Sequence, residues 1–281
     1  MRIINCFLLF NFVVANVYAQ VITPPMSPRG KITQQVGLTE VEVDYSRPSA
    51  RGRNIIGGLV RFGEMWRTGA NKNTIVSFSD PVMIMGKPLA AGKYALYTRP
   101  DARQWEIYFY KKYDINGIPK NWKEDQVALH ISVPSNYFDP MVETFTISLS
   151  NFTSNGANLN LIWEHTLVAI PFEVPTQTKA LESIDKTLSA TPKSGDYYQA
   201  AVYYLQENKD LLKAQKWMEK ALDMRKKPAY WMYRQYALIL AERNNKKAAL
   251  KAVKKSLELA EEAGNKDYII MNNESIAEWS K

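Results

Sequence analysis

The spacing of apolar residues changes once along the chain, near residue 175. Before that point apolar and polar residues alternate in short runs, and in residues 39–45 the apolar Val41, Val43 and Tyr45 alternate with acidic side chains. A period of two places successive side chains on opposite faces of a strand. After residue 175 the apolar residues recur about every 3.6 positions, which is the spacing of an amphipathic helix. The sequence therefore predicts a β domain, residues 20–175, followed by a helical domain, residues 176–281.

Further strand-like runs fill the first domain. They cover residues 74–79, 93–99, 104–110, 126–133, 142–150, 158–164 and 166–174. Turn residues separate several of them, namely Gly86-Lys87-Pro88, Pro100-Asp101-Ala102 and Ser154-Asn155-Gly156. Because no helical segment lies between these runs, they cannot form parallel βαβ units. We expect an antiparallel β-sandwich or a flattened barrel.

The second domain contains an internal repeat. Tyr198, Tyr233 and Tyr268 are each 35 residues apart, and Ala214 and Ala249 have the same separation. An early aromatic residue in one helix and alanines in the next resemble tetratricopeptide repeats, whose period is about 34 residues. The sequence departs from that pattern where asparagines, Asn208 and Asn244 among them, replace the usual glycine between paired helices. We expect a leading helix, two helical pairs and a trailing helix.

The amino-terminal residues 1–19 have the three parts of a secretory signal: a basic start, an apolar stretch and small residues before the cut. We expect cleavage before Gln20, a periplasmic or secreted protein, and no transmembrane segment in the mature chain. Cys6 lies within this stretch, so the mature chain has no thiol for a disulfide, a thiolate metal site or a cysteine nucleophile. We expect no cofactor and no metal.

The chain is basic, with a formal charge of +8, and the excess lies mainly in the helical domain. Residues 176–281 carry 19 Lys or Arg against 14 Asp or Glu, a surplus of +5. Nucleic acid is not an expected partner after export, whereas a protein or a glycan of the cell envelope is. A solvated lysine face explains the same charge, and the oligomeric state stays open.

One connection, residues 46–73, is long and rich in arginine, glycine and tryptophan. Loops of this length are usually functional or disordered, and its apolar residues favour a folded loop with a small core of its own. Guanidinium groups bind carboxylate, phosphate or sulfate, but they also hold a loop in place by binding backbone carbonyls. Both interpretations stay open. The candidate ligand-binding residues are Tyr45, Arg47, Arg53, Trp66, Arg67 and Asn71.

A second resemblance rests mainly on the same segment and extends to Tyr94. It is carried by Tyr45-Ser46-Arg47-Pro48, Gly52-Arg53, Gly58-Leu59-Val60, Trp66-Arg67-Thr68-Gly69-Ala70-Asn71 and Gly92-Lys93-Tyr94. This string resembles the uncharacterised bacterial family catalogued as domain of unknown function 2911, over about residues 27–174. The resemblance implies export by a Gram-negative bacterium and no particular activity. Two positions depart from the family pattern, Ile56 and Arg61.

Catalytic motifs are absent from the sequence: it has no Gly-x-Ser-x-Gly, no His-Glu-x-x-His and no phosphate-binding glycine loop. His130 and His165 are isolated, and Asp44 and Glu64 are the carboxylates nearest the arginine-rich loop. The first hypothesis is a non-catalytic envelope protein that binds an anionic small ligand, a glycan or a protein partner through residues 46–73, the helical repeats or both. The alternatives are a carbohydrate- or ester-active hydrolase with its site under that loop, and a scaffold that acts through the repeats.

Overall fold

The computed structural model describes residues 22–281 and divides the chain into two compact units. The first unit ends at Val174 and the second begins at Pro175. The predicted signal peptide, its cleavage before Gln20 and Cys6 lie outside the described residues. Within residues 22–281, no helix combines the length and the apolar character that crossing a bilayer requires.

The first unit is a nine-stranded antiparallel sheet, as the alternation predicts. Its strands are β1 Arg29–Val36, β2 Thr39–Ser46, β3 Ile75–Phe78, β4 Val82–Ile84, β5 Lys87–Leu89, β6 Gly92–Arg99, β7 Gln104–Tyr110, β8 Val127–Thr153 and β9 Gly156–Glu173. The strand order is β1-β2-β3-β6-β7-β8-β9-β4-β5. The predicted turns mark the connections between β4 and β5, β6 and β7, and β8 and β9, but Lys87 and Pro88 themselves belong to β5 and Gly156 to β9.

Strands β8 and β9 form a long bent hairpin that folds the sheet over on itself. The beginning of β8 pairs with β7, and the remainder pairs with β9. Between Tyr137 and Thr146 the β8–β9 register shifts twice, and bulges of this kind bend a strand and increase its twist. The folded sheet encloses one core, in which Phe78 of β3 lies 5.7 Å from Phe172 of β9 between ring centroids.

The bend also corrects the predicted strand count. The runs 126–133 and 142–150 belong to one strand, β8, and the runs 158–164 and 166–174 belong to β9. Irregular residues break the alternation at the bend, although the backbone ladder continues on either side of it. A bulge therefore looks like a strand end in the sequence.

The loop of residues 46–73 contributes to this core. Ile55 and Val60 are buried within it, and Trp66 packs against it. The expectation of a separate small core is therefore wrong. Leu59 and Phe62 are exposed, at 54% and 46% of their surface, since the loop turns only one side toward the sheet.

The second unit contains six helices, in the arrangement that the repeat predicts. They are α1 Thr176–Leu188, α2 Ser194–Gln206, α3 Leu211–Asp223, α4 Tyr230–Glu242, α5 Lys246–Glu262 and α6 Lys266–Trp279. The repeated small residues of α3 and α5 are buried, namely Ala214, Ala221, Ala249 and Ser256. Small side chains at this spacing let a neighbouring helix approach closely.

The asparagines that replace the repeat's glycine adopt a glycine-like backbone conformation. Asn208 follows α2 with φ 45°, and Asn244 follows α4 with φ 58°. Gly264 follows α5 at the equivalent place with φ 66°. Asparagine is the non-glycine residue that most often ends a helix in the left-handed conformation. The departure from the repeat pattern therefore preserves the turn.

Candidate functional site

Backbone pairing holds the arginine-rich loop against the sheet. Ser49 forms a single antiparallel bridge with Thr144 of β8, and Trp66 forms another with Thr98 of β6. In addition, Phe145 N donates to Pro48 O at 2.8 Å. The loop is thus attached to the sheet near both of its ends, and its side chains have defined positions.

Tyr45 and Arg47, two of the predicted ligand-binding residues, attach this region to β8. The Tyr45 hydroxyl accepts from Ile147 N at 3.0 Å and donates to Ile147 O at 3.3 Å, in the core. Arg47 Nε donates to Phe145 O at 3.4 Å, and Nη2 donates to Thr146 Oγ1 at 3.0 Å. Neither residue lines the cavity described next.

The other four predicted residues, Arg53, Trp66, Arg67 and Asn71, line one cavity of about 460 Å³. The remaining lining residues are Ser27, Pro48, Leu59, Val60, Gly69, Ala70 and Trp163. A volume of about 300–1,000 Å³ is typical of small-molecule sites. We call this space the arginine cavity.

The chain holds both guanidinium groups of the arginine cavity while leaving some of their donors unused. Arg53 Nε donates to Ala50 O at 2.9 Å, and its Nη2 donates to Ser49 O at 2.8 Å. Arg67 Nη1 donates to Asn71 O at 2.9 Å. Within residues 22–281, Arg53 Nη1 and Arg67 Nε and Nη2 have no hydrogen-bond partner. Two oriented cations therefore retain donors for a ligand.

A tight turn fixes the position of the Trp66 side chain in the wall of the arginine cavity. The Trp66 indole Nε1 donates to Gly69 O at 3.1 Å, and its ring stacks on Trp163 of β9, with centroids 5.7 Å apart. Gly69 has φ 150°, and a Cβ there would lie 3.0 Å from Thr74 Oγ1 and 3.1 Å from Ser46 O. Glycine is favoured here because this dihedral angle strains an L-residue and the neighbouring atoms leave little room for a Cβ.

The predicted carboxylates lie elsewhere. Asp44 pairs with Arg29 at 2.7 Å, and Glu64 pairs with Arg61 at 3.4 Å. Among residues 22–281, none of the side chains that line the arginine cavity is acidic. The cavity is consequently a positively charged environment that favours an anion and lacks the paired carboxylates of glycoside hydrolysis.

The two histidines line different cavities. His165 Nδ1 is 3.0 Å from Phe138 O, and His130 lies on an outer sheet face and bonds to Glu106. Throughout residues 22–281, no group of three or more His, Cys, Asp or Glu side chains could hold a metal ion.

Sequence reasoning missed the part of the arginine cavity that comes from distant segments. Trp163 stacks on Trp66 although 96 positions intervene between them, and Ser27 precedes β1. The available signal for Trp163 was its place in the alternation of 158–164, where it shares a face with Leu161. That pattern indicates burial but not a neighbour.

Fold and cavity together define a class of protein: an antiparallel β-sandwich with an arginine-lined cavity in its long connection, joined to tetratricopeptide-like helices. The chain belongs to the family described as Protein of unknown function (DUF2911), whose model matches residues 27–172. The match confirms the resemblance and contains every residue that lines the arginine cavity. Comparison with curated proteins and with solved structures gave no match.

Proposed function

We propose that the β-sandwich is a non-catalytic binding module. The arginine cavity would bind a small ligand that carries a carboxylate on an aromatic ring or a sugar ring. The observation that carries this proposal is the set of unused N–H donors on Arg53 and Arg67, around a cavity without acidic side chains. A guanidinium binds a carboxylate through parallel N–H donors, a geometry that neutral ligands cannot match.

The walls support a ring next to the carboxylate. Leu59, Val60 and the indole of Trp66 provide apolar surface beside the cations, and tryptophan combines a large apolar face with a polar edge. Because the chain already orients both guanidinium groups, little side-chain freedom is lost on binding. Each charge-assisted hydrogen bond is worth about 1.5–3 kcal/mol, so removal of one cation should weaken binding at least about tenfold.

The proposed setting is the cell envelope. It rests on the basic, apolar and small-residue parts of residues 1–19, which predict export. The candidate ligands in this compartment are acidic sugars and other small carboxylates of the envelope.

Matched pairs of probes test the proposal. Glucuronate and benzoate are titrated against the full chain by calorimetry, with glucose and benzamide as neutral counterparts. We expect heat of binding from at least one acid and none from its neutral counterpart. The Arg67→Met variant should lower the affinity at least tenfold, whereas Arg61→Met, which changes an exposed arginine outside the cavity, should leave it unchanged. Equal binding of acid and neutral probes, or none by either acid, would overturn the proposal.

A second candidate function is supported by the helical unit. A groove of about 710 Å³ between α4 and α5 has Tyr233, Tyr236 and Leu240 on one side and lysines on the other. The lysines Lys251 and Lys254 favour an acidic segment of a partner protein. Fluorescence anisotropy with a labelled peptide of alternating Glu and Leu tests this function: the double variant Lys251→Glu, Lys254→Glu should abolish binding, and full retention would contradict it.

A further inference from the structure

The outer face of β6, β7 and β8 carries two rows of side chains away from the main core. The register aligns Arg99, Glu106 and Ser132 in one row. It aligns Tyr97, Tyr108 and His130 in the next row. The neighbours of Tyr108 along β7, Ile107 and Phe109, point to the core, because successive residues of a strand face opposite sides.

The β7–β8 connection, residues 111–126, covers only part of this face. Trp122 packs against Tyr97, Tyr108 and Tyr110, at centroid distances of 5.4, 5.7 and 4.5 Å. The Tyr97 hydroxyl donates to Gly117 O at 2.9 Å, which fixes the connection over the aromatic row. Between this connection and the two rows lies a cavity of about 440 Å³, which we call the outer-face cavity. Its lining residues are Met65, Arg99, Tyr108, Ile118, Trp122, Glu124 and His130.

Side-chain contacts orient the polar groups of this outer-face cavity. The His130 ring stacks on Tyr108 with centroids 4.3 Å apart and an interplanar angle of 3°. Its Nε2 is hydrogen-bonded to Glu106, which also accepts from Ser132 Oγ. Burial acts to raise the pKa of Glu106, but the hydrogen bonds from Ser132 and His130 outweigh it and lower that pKa. Glu106 is thereby kept as a carboxylate that positions His130.

Three groups at the cavity retain hydrogen-bonding capacity. The Arg99 guanidinium lies 5.7 Å from the centre of the Tyr108 ring and has no hydrogen bond within residues 22–281. His130 Nδ1 likewise has no partner in that range. Glu124 accepts from the Trp122 indole through Oε1 at 2.9 Å, and its other oxygen can accept from a ligand.

The same contacts do not form a serine–histidine pair. Ser132 donates to Glu106 and not to His130, whereas a serine nucleophile is activated by a hydrogen bond to its base. Ser132 and His130 instead hold the Glu106 carboxylate between them, and this arrangement orients polar groups for binding.

We propose that the outer-face cavity is a second binding site, for a neutral saccharide ring. Arg99 and Glu124 place opposite charges on its lining, so a ligand with a net charge would meet repulsion from one of them. A sugar hydroxyl both donates and accepts, and it can accept from the Arg99 guanidinium while donating to His130 Nδ1 or to the Glu124 carboxylate. The C–H face of a sugar packs on an aromatic ring, and the half-buried Trp122 supplies such a ring at the cavity. The Tyr108 ring is buried and stacked on His130, so it supports the site from below.

The test uses the full chain and three neutral trisaccharides: cellotriose, maltotriose and triacetylchitotriose. Each is titrated by calorimetry and by the NMR signal of the Trp122 indole N–H, assigned with a Trp122→Phe variant. We expect at least one trisaccharide to bind and to shift that signal. The variants Arg99→Ala and Glu124→Gln should each lower its affinity at least tenfold.

Three controls make the result decisive. Arg103→Ala changes an exposed arginine outside the cavity and should leave the affinity unchanged. Arg53→Met, which removes one of the two cations of the arginine cavity, should also leave it unchanged, so failure of the proposed function and failure of this inference are distinguishable. Thermal unfolding checks that each variant is folded. Absence of binding by all three sugars, or wild-type affinity in folded Arg99→Ala, would overturn the inference.

Discussion

At the scale of single residues, the arginines of residues 46–73 have different roles although they are chemically identical. Arg47 is hydrogen-bonded to Phe145 O and Thr146 Oγ1. Arg51 donates to Met26 O, whereas Arg53 and Arg67 line a cavity. The sequence could predict that this segment binds carbonyls or anions, but not which arginine does which. The role of Arg47 depends on Phe145 O and Thr146 Oγ1, which β8 brings close from nearly 100 positions away.

The turn that carries Arg67 depends on a single glycine. Gly69→Ala adds a Cβ 3.0 Å from Thr74 Oγ1 at φ 150°, and strain of this kind costs about 1–3 kcal/mol. We expect urea unfolding to show a loss of stability in that range. Gly195→Ala in α2 is the matched control, because a Cβ there meets nothing within 4 Å and alanine favours a helix. A Gly69→Ala variant as stable as the wild type would show that this turn is not constrained.

The raised pKa of Tyr97 predicts a loss of folding stability at high pH. Burial raises its pKa to about 12, against an opposing hydrogen bond from Asn73, whereas a tyrosine in the unfolded chain has a pKa of about 10. A raised pKa means that the contribution of Tyr97 is fully present below pH ~10 and is lost as the pH rises through ~12. We expect Tyr97→Phe to reduce the loss of stability between pH 9 and 11.5, measured by urea unfolding at each pH. An unchanged slope would contradict the assignment.

At the scale of elements, the alternation predicted most strands but not their ends. Residues 39–45 and 104–110 match β2 and β7 closely, because β2 pairs regularly with both neighbours and β7 does so as far as Phe109. The division of β8 and β9 failed at their bend, where register shifts interrupt the pattern. The repeat predicted six helices, since their apolar faces and small residues recur at fixed spacing.

Substitution of Asn244 tests whether the turn after α4 depends on a left-handed backbone conformation. Asn244 has φ 58° after α4, and a left-handed conformation costs an ordinary L-residue roughly 1–2 kcal/mol. We expect Asn244→Ala to lower the unfolding free energy by about 1 kcal/mol, and Asn244→Gly to leave it equal or higher. Thermal and urea unfolding measure both. Equal stability of the two variants would contradict the interpretation of this turn.

At the scale of the whole molecule, the change of period near residue 175 predicted the order of the two architectures. Along the chain, the first observed unit ends at Val174 and the second begins at Pro175. Four of the residues that line the arginine cavity, Arg53, Trp66, Arg67 and Asn71, were candidates from the sequence, whereas the candidates Tyr45 and Arg47 do not line it. The sequence could not predict the contribution of Trp163, because that contact depends on how β9 is placed across the core.

The predicted export can be tested directly by determining the amino terminus of the mature protein. Residues 1–19 have the pattern of a cleaved signal, so mass spectrometry of the protein recovered from a Gram-negative envelope should find a mature chain that begins at Gln20. Recovery from the cytoplasm with residues 1–19 intact would contradict the proposed setting.

We propose that Arg47 stabilises the fold while Arg67 binds a carboxylate ligand. The most direct measurement determines both the unfolding free energy and the affinity for the acidic probe on the same preparations of Arg47→Met and Arg67→Met. We predict that Arg47→Met loses about 1–3 kcal/mol of stability and keeps its affinity within twofold. Arg67→Met should lose at least tenfold in affinity and no more than about 1 kcal/mol of stability. Two variants that lose stability and affinity in the same proportion would contradict the claim.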